Sequence, residues 1–192
     1  MHNAPRLLLP VLISLSLLAC GGDDPVSFSQ PVTINLKAKS SDTVNNVVAD
    51  DKSINTENSN PYGKFVNDAR AALGGVAPTR IALVATTLTL GTASTGVAGL
   101  GEVFTGNVEI LFTTNDTNNT YPAAAGPIAA ADRSGPIALT STFDSATISD
   151  VDFAKVLGGS FKVGIRGPAG ANFATKGADA DLQVTMTFSA YQ

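Results

Sequence analysis

At 192 residues the chain has room for one domain with a real core, and its formal charge of −4 is a mild acidic balance. That balance argues against nucleic acid as a partner and supplies no electrostatic pull toward anionic lipid. One cysteine, one histidine and no tryptophan argue against a disulfide scaffold and leave little of the usual catalytic chemistry.

In chain order, Met1 to Arg6 carries one Arg and no acid, and Leu7 to Leu18 is almost wholly apolar. A run of about twelve apolar residues suits a signal-peptide core and is too short to span a bilayer. Leu17-Leu18-Ala19-Cys20 closes that run with a small residue directly before the only cysteine. This stretch resembles the lipobox of bacterial lipoproteins. The resemblance implies cleavage between Ala19 and Cys20 and attachment of a diacylglyceryl group to the Cys20 thiol, with palmitate among the chains. Two or more acyl chains make such an anchor stable. Residues 1–19 are then a cleaved leader, residues 20–30 a lipidated N-terminus and linker, and residues 31–192 a single domain. Gly21 follows the cysteine where an Asp would retain a lipoprotein at the inner membrane, so the expected location is the outer membrane of the bacterial cell envelope. Neither that position nor the rest of the chain says which membrane face carries the domain.

Val32, Ile34, Leu36 and Ala38 alternate with Thr33, Asn35, Lys37 and Lys39, the pattern of a strand with one wet face. Residues 40–60 are polar and rich in Asn, Ser and Asp, and read as loop with room for one short strand. Asn60-Pro61 supplies an N-cap and a first-turn proline. Phe65, Val66, Ala69 and Leu73 follow at helical spacing, and Gly74-Gly75 stops the run. A helix is therefore predicted near 61–73. Arg80 to Leu90 and Val103 to Thr113 are predicted strands, and residues 114–136 read as a long irregular connection. Ile137, Leu139 and Phe143 mark another strand. Ser149 or Asp150 can cap a turn of helix through Leu157. Phe161, Val163 and Ile165, then Leu182 to Ala190, alternate cleanly as strands.

The expected fold is mainly β, with about six to eight strands and one clear helix. An antiparallel β-sandwich of Ig-like or Greek-key type buries such half-apolar sheets, and a closed β-barrel is the alternative. Helices between successive strands, which a parallel sheet needs, are missing. Ile81–Leu90, Val108–Phe112, Gly159–Ile165 and Asp181–Phe188 resemble the strands of uncharacterised β-sandwich lipoproteins of Gram-negative bacteria. That resemblance implies a fold and no activity.

The only histidine, His2, lies in the leader, so the mature chain is expected to hold neither imidazole nor free thiol. Ser-His-Asp and Cys-His schemes and conventional zinc sites are thereby removed. Gly96-Val97-Ala98-Gly99-Leu100-Gly101 has the wrong order for a dinucleotide fingerprint, and no phosphate-loop motif occurs. No nucleotide and no other cofactor is expected. Asp150/Asp152 and Asp179/Asp181 are spaced to share a strand face, as paired glycosidase carboxyls would, yet both read as solvated charges. Asn115, Asp116 and Asn118 cluster hard oxygens of the kind Ca²⁺ prefers, without EF-hand spacing, and the same residues suit tight turns. Tyr62 and Tyr121 are expected at loop edges, and Phe65 in the core. The chain thus reads as a non-catalytic envelope lipoprotein, attached to the membrane at Cys20. An envelope protein or glycan would contact its loops at 91–101 and 114–136. A Ca²⁺-dependent adhesive domain and a glycan-acting enzyme using Asp/Glu pairs are the alternatives.

Overall fold

Alternation decides which side of each strand is dry. Val32, Ile34, Leu36 and Ala38 are buried, and their odd-numbered neighbours are exposed, along β1 (Ser27–Lys39). The computed structural model describes residues 26–55 and 60–192; the cleavage and lipidation expected at Ala19–Cys20 fall outside the described residues. The elements that follow are β2 (Val47–Ile54), α1 (Pro61–Ala72), β3 (Arg80–Leu90), α2 (Leu100–Val103), β4 (Gly106–Thr114) and β5 (Thr120–Ile128). The chain then forms β6 (Ile137–Ser141), α3 (Asp150–Leu157), β7 (Phe161–Pro168) and β8 (Asp179–Tyr191).

All eight strands join one antiparallel sheet in the order β1-β8-β3-β6-β5-β4-β7-β2, nearly closed into a barrel. The fold is mainly β, as the alternation requires, and of the two architectures it is the barrel alternative that forms. A sandwich is nonetheless visible within it. Two groups of strands, β1-β8-β3 and β5-β4-β7-β2, are bridged by the five-residue β6, which pairs with three residues of β3 and two of β5. That short bridge turns two facing sheets into one.

Opposite β6 lies a seam where β1 and β2 have no backbone ladder. The Lys37 amide instead donates to the Asp50 carboxylate at 2.7 Å. Near the start of β1 the gap is filled by α1, whose Tyr62, Phe65, Val66 and Ala69 are buried. Phe65 stacks near Phe28 of β1, with ring centroids 6.4 Å apart, and lies 5.4 Å from Phe188 of β8. Local chemistry fixes the helix ends. The Asn60 side chain accepts from the Tyr62 amide at 2.9 Å, and Pro61 occupies the first turn. Gly74, at φ 72°, carries the chain out, and the Gly75 amide returns to the Arg70 carbonyl at 2.8 Å.

Strand direction gives the barrel two distinct rims. The rim where β1 begins carries α1, α3 and the β4–β5 turn at 115–119. The opposite rim carries α2 and the segments 91–105, 129–136 and 169–178. There Leu100, Val103 and Phe104 are fully buried, so α2 plugs that end. Gly101 permits the close fit, since a Cβ on it would lie 2.4 Å from the Ala129 carbonyl oxygen. Inside, Phe112 meets Phe143, Phe161 and Phe188 at 4.8, 5.2 and 6.0 Å between centroids.

Two expectations are corrected. Residues 114–136 are not one irregular connection, because Thr120–Ile128 form β5 within them. Pro122 and Pro127 hide this strand in the sequence, but both fall outside the two residues that pair with β6. Tyr62 does not cover a loop edge: it is 1% exposed and packs on Phe161 and Phe188 at 5.1 Å each. Along β3 the register shifts between Leu83 and Ala85, and Val84 turns outward there.

Phe188 lies at the centre of this packing, so Phe188→Ala should cost about 3–5 kcal/mol of stability. Val84→Ala, on the outer wall, should change it by less than about 0.5 kcal/mol. Urea denaturation of both variants checks the contrast, and equal costs would contradict the core assigned here.

Candidate functional site

The densest polar constellation lies on the α1 rim, between α3 and the β4–β5 turn. Ser149 caps α3, its hydroxyl oxygen accepting from the Asp152 amide at 3.2 Å and its O–H facing the Asp152 carboxylate at 3.0 Å. Asp152 itself is fully buried. Its Oδ1 accepts from the Thr114 and Thr117 hydroxyls at 2.9 and 2.6 Å. Oδ2 accepts from the Asn119 amide at 2.8 Å and the Tyr121 hydroxyl at 2.6 Å. Four of the five side-chain donors therefore come from the end of β4, the turn and the start of β5.

These donors, led by Thr117, then Tyr121 and Asn119, hold the Asp152 carboxyl well below its ordinary range, against the opposing effect of desolvation. The same contact pushes the Tyr121 phenol up. A carboxylate so held is a poor proton acceptor. Chemically the arrangement is a clasp: it pins a helix to a hairpin and leaves no lone pair directed at a substrate.

Asp150 and Asp152 thus diverge. Asp150 is exposed in the first turn of α3 and Asp152 is enclosed, so only the first is the solvated charge expected of both. Asp179 and Asp181 lie partly exposed on the outer side of β8. The Asp181 side chain covers Gly91, where it occupies the place a Cβ would take.

Asn115, Asp116 and Asn118 all lie in the tight β4–β5 turn. Asp116 and Asn118 adopt left-handed backbone at φ 64° and 53°, the conformation for which turns select Asn and Asp. The Asp116 carboxylate accepts from Lys155 of α3 at 2.5 Å, and the Asn115 amide donates to the Ser160 hydroxyl at 3.2 Å. Among the described residues, no three His, Cys, Asp or Glu side chains gather as a metal-binding group.

An open groove of about 540 Å³ crosses the outer wall of β2, β7 and β4. Gly164 and Leu111 line its middle. Lys162 and Arg166 flank them but are engaged, with Asp51 at 3.3 Å and Glu109 at 2.6 Å. Near the start of β3, Arg80 forks onto Asp144 and lies 4.7 Å from the Tyr191 ring centre. Its guanidinium holds the Asp144 carboxyl below the ordinary range.

No protein-family model and no curated protein matches the chain.

Sequence reasoning missed the Asp152 clasp. Ser149-x-x-Asp152 has the spacing of a helix cap with an acid at its third position, which was the available signal. The donors could not be assigned from spacing, because they lie about thirty residues upstream.

Because the folded Asp152 pKa is lowered, its stabilisation is present above the unfolded value of about 4 and fades as pH falls toward the folded value. Asp152→Asn should melt several degrees below the wild-type protein at pH 7, while Asp150→Asn should melt close to it. Between about pH 4 and pH 2 the Asp152→Asn melting temperature should fall less steeply than the wild type's. Thermal melts across that range check both statements.

Proposed function

We propose that this chain is an exported lipoprotein, held to a bilayer through Cys20, whose plugged barrel is a non-catalytic structural or binding module of the bacterial cell envelope. The observation that carries the reading is Leu17-Leu18-Ala19-Cys20 at the end of a short apolar run. The outer membrane is the proposed location, because Gly21 stands where a retention Asp would stand.

Two structural features support a binding or structural role for the domain. One continuous core of aliphatic and aromatic side chains fills the barrel interior, so contacts with a partner fall to the rims and the outer wall. The acid enclosed on the α1 rim serves packing, as its donors show. The proposed contact surface is also narrower than the two loops first considered. Residues 115–119 belong to the clasp, and β5 belongs to the wall. The 129–136 segment packs against 91–101 on the α2 rim, where the Leu100 amide donates to the Arg133 carbonyl at 2.7 Å. Those two segments form the surface proposed for an envelope protein or glycan.

Metabolic labelling with palmitate followed by detergent phase separation tests the anchor. The wild-type chain should take up label and enter the detergent phase. Cys20→Ser should lose both properties while keeping the melting temperature of its folded domain. Mature protein free in the medium, beginning at a residue other than Cys20, would contradict the proposal.

A further inference from the structure

We infer that the α1 rim of the barrel faces the bilayer and the α2 rim is displayed away from it. This rests on the anchor at Cys20 proposed above. The argument starts from covalent reach. β1 begins at Ser27 on the α1 rim, so residues 21–26 separate the barrel from the anchored cysteine. Fully extended, that stretch spans at most about 25 Å.

The barrel is taller than its tether is long. β1 and β8 pair over thirteen residues each, from Ser27 opposite Tyr191 to Lys39 opposite Asp179. At about 3.3 Å per step and a tilt of about 40°, such strands rise roughly 30 Å along the axis. Placing the α2 rim on the membrane would require the anchored cysteine to reach back the whole height, which the tether cannot do. The barrel can stand on its α1 rim or lie on its wall; it cannot invert.

Surface chemistry favours the standing pose. Three side chains of the α1 rim are apolar and open to solvent: Val26, Val76 and Val151, at 55%, 49% and 61% exposure. Val26 is the last residue before β1, and its carbonyl accepts from the Gln192 amide at 3.1 Å, which ties the tether's exit to the rim. Val76 lies in the short link between α1 and β3, and Val151 in the first turn of α3. Valines at a headgroup boundary exchange water for acyl chain, which adds apolar burial to a pose the tether already selects. Val44, in the link between β1 and β2, and Val47, the first residue of β2, are the exposed pair on the opposite rim. They are then directed away from the membrane, on the same rim as the surface proposed for a partner.

Lipidation consumes the Cys20 thiol, so an introduced cysteine is a unique label. The acylated full-length chain, carrying Val76→Cys, Val151→Cys or Val44→Cys with a small fluorophore, is reconstituted into phosphatidylethanolamine–phosphatidylglycerol vesicles. Nitroxide-headgroup lipid in those vesicles serves as a short-range quencher. Quenching at positions 76 and 151 should exceed that at position 44 several-fold. Equal quenching at the three positions, or the strongest at 44, overturns the orientation while leaving the anchor intact. Failure of the labelled chains to float with the vesicles overturns the anchor itself, and the orientation with it.

Discussion

Closing the sheet is the constraint on which this structure depends. Each strand offers one apolar face, and eight such faces stay dry only if the sheet returns to its own beginning. The ladder does not complete the turn, since β1 and β2 lie side by side with no backbone pairing and are bonded by the Lys37 amide to the Asp50 carboxylate. A bond of that kind contributes on the order of 1–3 kcal/mol net. The aromatic face of α1, buried against Phe28, Phe161 and Phe188, contributes several times more. The barrel is therefore closed by a hydrophobic wedge, with one polar contact marking the seam.

Asp152 solves a different problem by different means. Two elements distant in sequence, the β4–β5 hairpin and α3, must meet at a rim where polar residues abound. A buried carboxylate is costly unless its lone pairs are filled, and five side-chain donors fill them. Nearby, the fully buried Tyr62 sends its hydroxyl to the Val156 carbonyl at 2.9 Å, joining α1 to α3. Burial in this apolar setting pushes the Tyr62 phenol up, so it remains a neutral donor. The three elements of the rim are thus tied through one carboxylate and one phenol.

How much of this was legible depended on the range of the signal. Period-two alternation in β1, β7 and β8 and the capped periodicity of α1 are local, and they were readable from residues such as Val32, Ile34, Asn60 and Pro61. β5 was hidden because its prolines and alanines carry no alternation, and its identity as a strand comes from β4 beside it. The choice between sandwich and barrel rests on the few pairs made by β6, which no residue pattern announces. At the candidate site, the Asn/Thr wealth of 114–120 was visible, but its purpose was not. The acid these side chains serve arrives only when α3 folds over them, and Tyr62 was misplaced for the same reason of range.

One consequence of the seam concerns self-association. An almost-closed barrel retains two borders, and a bare border is a template for another copy's strand. Along β1 successive amides point alternately toward β8 and toward the seam, so Pro31 shares the seam-facing side with Lys37, six positions away. One border position thus carries no N–H, and another is already occupied by Asp50. The β1 border, guarded in this way, discourages growth of strand-to-strand filaments between copies of the chain.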